Sequence, residues 1–201
     1  MLSLLNRFQD WLDVTRRVDF IAPIALRLYL APVFWVAGTN KLGHMDDIIA
    51  WFGNPDWGLG LPFPEVFAWL AALTEAGGAV LLVAGLAVRW ISIPLMMTML
   101  VAIFSVHWEN GWQAIHDLQS PWAGANAEEA VSRLSRAKSI VEEHGNYGWL
   151  TEHGSLVSSN NGIEWGATYF VMLLGLFFLG AGRYLSVDYW LSKRFRSQGK
   201  S

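Results

Sequence analysis

The chain has 201 residues, 53% hydrophobic and only 15% charged, with a formal net charge of −3 and no cysteine. That length allows one domain and at most two. The weak negative charge argues against nucleic acid as a partner, and the missing cysteine excludes a disulfide framework, thiol catalysis and any CxxC metal or redox pair. A positive mean hydropathy of +0.30, with twelve Trp and eleven Phe, fits a polytopic membrane protein better than a soluble domain.

Residues 1–19 come first. Leu5, Phe8, Leu12 and Thr15 share one helical face, with Leu4 and Trp11 beside it and Arg and Asp on the other. This predicts an amphipathic helix in the membrane interface; a soluble cap packed on the rest of the chain is the alternative. The segment lacks an uninterrupted apolar core and a small-residue cleavage site, so it does not read as a cleavable signal peptide.

Four apolar stretches follow, at about 20–40, 63–86, 90–107 and 164–185. A bilayer core of ~30 Å needs ~20 residues per helix, and the third stretch is short. Lys and Arg concentrate on one side: Arg7, Arg16 and Arg17 before the first span, Arg89 in the 2–3 turn, and Arg183, Lys193, Arg194, Arg196 and Lys200 after the fourth. The 1–2 loop has only Lys41, and the basic residues of the 3–4 loop are diluted by acids. Both termini are therefore expected in the cytoplasm. The expected fold is all-α: an integral-membrane antiparallel four-helix bundle over residues 20–190, with an N-terminal interfacial helix, an outer (periplasmic) loop insertion at 108–163 and a basic cytoplasmic tail at 191–201. Within that loop, "NAEEAVSRLSRAKSIVEEHG" reads as a helix with Asn126 as N-cap and Gly145 at its end. The aromatic, turn-rich stretch "GNPDWGLGLPFP" is expected to fold back over the outer mouth.

Charges sit mostly at the ends of these apolar runs, with Arg27 and Glu75 as the interior exceptions. A carboxylate in hydrocarbon costs several kcal/mol unless paired, neutralised or hydrated. Counted from the cytoplasmic side, Arg27 lies ~10 Å deep and Glu75 ~16 Å deep. An extended Arg side chain covers that offset, so an intramembrane pair of Arg27 with Glu75 is expected, both on small-residue faces that allow close approach. Such a pair either fixes helix register or serves function directly.

All five histidines fall on the expected outer side, and Lys41, His44, His107 and Glu109 form a candidate outer polar site. His44 (near Asp46 and Asp47) and His107 are candidate transition-metal ligands, although their spacing matches no compact motif and scattered loop residues are the plain alternative. Met96, Met97 and Met99 are soft-ligand candidates that serve equally as apolar filler. No phosphate-binding loop, dinucleotide fingerprint or nucleophile elbow is present, so no catalytic residue is assigned.

"LRLYLAPVFWVAGTNKL", a loop ending "GLPFP", "LAALTEAGGAVLLVAGLAVR" and "GAGRYLSVD" together resemble the DoxX-like family of small four-helix membrane proteins. "HWENGWQAI" and "EEHGNYGWLTEHGSLVSSNNGIEWGATYFVMLL" resemble its HvfX branch, which has an enlarged 3–4 loop. Members of that branch are encoded beside machinery making copper-associated modified peptides. The resemblance implies a bacterial inner-membrane accessory protein in the biosynthesis, export or docking of such a peptide. Its partners would be the bilayer, soluble peptide-modifying proteins or the peptide itself, and a second copy of the chain. Two alternatives stand beside this reading. One is a subunit of a quinone-linked oxidoreductase, with Arg27 and Glu75 around the quinone head group. The other is a small oligomeric transporter. Neither quinone nor copper is demanded by the residues.

Overall fold

A computed structural model describes residues 2–196. It is 72% helix with no strand among the described residues, and it divides into two compact units, Met1–Thr98 with Tyr169–Ser201, and Met99–Thr168. The expected tail residue Lys200, and the side chains of Leu4, Leu5 and Arg196, lie outside the described residues.

The first unit opens with α1, Leu2–Val14. Phe8, Trp11 and Leu12 are exposed on it. Helix α2, Ile21–Gly43, carries Pro32 inside it and buries Pro23, Arg27, Leu30, Ala31, Phe34 and Gly38. Helix α4, Pro64–Ala84, buries Ala68, Ala72, Glu75, Ala76, Gly78, Ala79 and Leu82. Both sets recur at three- and four-residue spacing, so each helix turns one stripe inward, and these two helices pack along each other more than any other pair.

The small residues make this possible. A Cβ built on Gly38 would lie 2.4 Å from the Ala76 backbone nitrogen, so here the two backbones touch. Gly38→Val is expected to force α2 and α4 apart and cost about 2–3 kcal/mol. A thermal melt of purified protein in detergent would read it, and an unchanged melting point would contradict the contact.

Between them lies α3, Met45–Gly53, an element additional to those expected from the sequence. The following loop is held by Asn54, whose Oδ1 accepts from the backbone of Asp56 and Trp57 and whose carbonyl accepts from Gly58 and Gly60.

Helix α4 ends in a Schellman turn: Gly85 is left-handed at φ +65°, and Leu86 N–H donates to Leu81 O. Helix α5, Val88–Ala102, continues through a π turn and a 3₁₀ turn, so the apolar segment runs Val88–Asn110 and reaches spanning length. The short third stretch is thereby longer than the sequence reading gave it. Ile21–Gly43 and Pro64–Ala84 are the other two segments long and apolar enough to cross a membrane.

The fourth stretch differs from expectation. Helix α8 runs Glu164–Leu179 and has 16 residues, ~24 Å of rise. It stops before residue 185 because Gly180 and Gly182 adopt φ +75° and +86°, a conformation that ends a helix at little cost only for glycine. Helix α9, Val187–Arg196, follows.

In the second unit, residues 110–116 run beside 158–164. Glu164 N–H donates to Trp112 O and Ile163 N–H to Gly111 O, and Ile115 and Ser159 form one bridge. Helix α6, Ala127–His144, has nearly the expected bounds and half-buries Val131, Leu134 and Val141. Asn126 makes no side-chain cap, contrary to expectation; its carbonyl accepts from Ala130 N–H. A one-turn helix α7, Tyr147–Leu150, is capped by the Asn146 side chain.

Candidate functional site

The two charges expected to pair do not meet. Glu75, on α4, takes the ammonium of Lys41 instead, with Lys41 Nζ donating to Glu75 Oε2 at 2.6 Å. The Glu75 side chain is 5% exposed and that of Lys41 is 24% exposed. Local structure explains the match. Lys41 sits one turn beyond Gly38, and Glu75 directly precedes Ala76, so the closest approach of the two helices sets the pair face to face. Lys41 also lies in the last turn of α2, where the helix dipole favours a cation.

Arg27 has another task. It is 2% exposed. Its Nε donates to Leu82 O at 2.7 Å and its Nη2 to Val83 O at 3.0 Å. Its Nη1 donates to Ala181 O at 2.6 Å and to Leu185 O at 3.1 Å. Leu82 and Val83 belong to the last turn of α4, whose carbonyls lack intrahelical partners. Ala181 and Leu185 lie in the turn after α8. One planar, five-donor group therefore joins the ends of two helices. Gly85 leaves room for it, since a Cβ there would come 2.8 Å from the guanidinium carbon.

Asp188 completes this corner. Its Oδ1 accepts from Ala87 N–H at 2.7 Å and its Oδ2 from Val88 N–H at 3.0 Å, capping α5 from a residue a hundred positions away. Sequence reasoning placed Asp188 only within a resembling motif; an acidic residue following a Gly-rich helix stop was the available signal.

The other candidate residues are distributed as follows. His44 Nδ1 lies 3.0 Å from Asn40 O, closing the exit of α2. In the second unit, His107 Nδ1 lies 2.8 Å from Asn161 O, which also accepts from Asn110 Nδ2, and Glu109 is exposed in the 3₁₀ turn Trp108–Asn110. Among the described residues, no three His, Asp or Glu side chains gather where a metal ion could be held. Each candidate ligand, His44 or His107, offers one imidazole with its Nδ1 directed to a carbonyl.

Residues 22–108 match the DoxX family model. The match runs from the start of α2 to the 3₁₀ turn and includes Arg27, Lys41, His44, Glu75 and His107. Glu109, Asp188 and α6 lie outside the DoxX-like region. Neither a curated protein nor a solved structure matches the chain. Together, the DoxX match and the three spanning-length apolar helices mark a membrane protein.

Proposed function

We propose that this chain is an inner-membrane accessory protein that holds a polar group of a ligand or partner at the Lys41–Glu75 pair, in support of making, exporting or docking a metal-associated modified peptide. The pair carries the proposal. Ionisable residues inside membrane helices are costly and are kept mainly where they bind or relay. Here the carboxylate is buried while its ammonium keeps a partly open side, so an anionic or carbonyl group can approach Lys41 without uncovering Glu75. The link to a copper-associated peptide is supported by the resemblance of the outer segment to the HvfX branch. With one imidazole each, His44 and His107 would act on a metal as single donors beside ligands that the peptide brings.

Topology belongs to the same proposal. The basic flanks support cytoplasmic termini, four antiparallel spans over residues 20–190, α1 lying in the interface and the 108–163 insertion outside. The quinone-linked alternative is weakened, because the guanidinium of Arg27 is committed to carbonyls and does not pair with Glu75 around a head group.

Native mass spectrometry of protein extracted from its own membranes in mild detergent tests the reading. The expected spectrum carries a defined extra mass that disappears in Lys41→Gln and in Glu75→Gln. The same mass retained in both variants, or bare protein throughout, would reduce the pair to a structural contact.

A further inference from the structure

The first unit contains a cleft of ≈ 480 Å³ between the start of α2, the end of α4 and the turn leading into α9. Its walls are largely apolar, with Ile24, Leu28, Val83 and Leu185, and two aromatic residues, Tyr184 and Trp190. Leu28 and Leu185 are exposed, so the cleft opens sideways onto the surface that apolar helices turn to lipid. The two aromatic walls are tied together, Trp190 Nε1 donating to Tyr184 O at 2.8 Å.

Each aromatic wall carries a cation. The Arg183 guanidinium carbon lies 5.8 Å from the Tyr184 ring centroid, and Lys193 Nζ lies 5.2 Å from that of Trp190. Arg183 is steadied by Asp19, and Lys193 is exposed on α9. Amphipathic aromatic residues favour the boundary between hydrocarbon and head groups, and Arg and Lys are the side chains that bind phosphate. An apolar slot thus has two aromatic walls, each with a cation against its ring.

We infer that this cleft binds one anionic phospholipid, its acyl chain against Leu28 and Leu185 and its phosphate at Arg183 and Lys193. Helix α9 is then a lipid-gripping element rather than a plain basic tail. The inference does not depend on what Lys41 and Glu75 hold.

Full-chain protein in detergent would be titrated with phosphatidylglycerol, and separately with phosphatidylcholine of the same acyl chains, and read by native mass spectrometry. One phosphatidylglycerol should be retained about tenfold more tightly than phosphatidylcholine, since Asp19 offsets part of the Arg183 charge. Lys193→Gln, an exposed change, should weaken that retention about fivefold. Leu185→Trp, which fills the cleft with both cations intact, should abolish it. Equal retention of the two lipids, or no loss in either variant, would overturn the site. Displacement of the lipid by inorganic phosphate alone at matched concentration would also overturn it, because the acyl slot would then contribute nothing.

Discussion

Replacing Arg27 by Ala is expected to be the most damaging single change in the protein. It leaves the carbonyls of Val83, Ala181 and Leu185 without the donor that now satisfies them, while Leu82 O keeps the Gly85 N–H. A buried unsatisfied group costs about 1–3 kcal/mol; the bond to Ala181 is buried and those to Val83 and Leu185 part-buried, so the loss should reach ~3 kcal/mol, roughly 10 °C in melting temperature for a chain of this size. Lys at this position should recover only part of it, because an ammonium cannot spread its donors over a planar fork. The combination with Glu75→Ala is the informative one. Arg27 and Glu75 share no partner, so the two losses should add within about 0.5 kcal/mol. Marked non-additivity in detergent melts would contradict the geometry.

The second large effect is expected at Lys41. Lys41→Ala strands the Glu75 carboxylate in a nearly closed setting. Breaking one half of a buried pair costs about 3–5 kcal/mol; with Lys41 a quarter exposed, about 2–3 kcal/mol is the appropriate figure. The double change Lys41→Ala with Glu75→Ala should recover most of that loss, since no lone charge remains. A double-mutant cycle should therefore give a coupling of at least ~1.5 kcal/mol. A coupling near zero would mean that the two groups are not partners.

The contrast between these residues explains what the sequence could and could not disclose. Apolar runs located α2, α4 and the start of α5 to within a few residues, because hydrocarbon thickness constrains length. They overran α8, where length gave way to the positive φ of Gly180 and Gly182. The expected Arg27–Glu75 pair rested on similar depth, yet opposite charges at similar depth need not share a helix face or register. Register was set by the Gly38–Ala76 approach, which puts the last turn of α2 opposite Glu75. Lys41 was visible as a candidate, but assigned to an outer polar site because it lay beyond the apolar run. Arg27 was misread for a second reason. Its partners are backbone carbonyls, which every residue carries and no pattern of side chains announces. The short α3 went unseen because nine residues rich in turn neighbours give little periodicity to read.

The reach of Arg27 also sets a schedule for synthesis. Two of its acceptors, Ala181 and Leu185, lie 154 and 158 residues further along the chain. At ~5–20 residues per second, a ribosome arrives there on the order of ten seconds or more after releasing Arg27. For the first 55 residues of that interval the end of α4 is not yet made either, and after that it is the end of α4 alone that the guanidinium can hold. The corner that joins the ends of α4 and α8 is thus among the last parts of the nascent protein to close, around a guanidinium made 154 residues earlier.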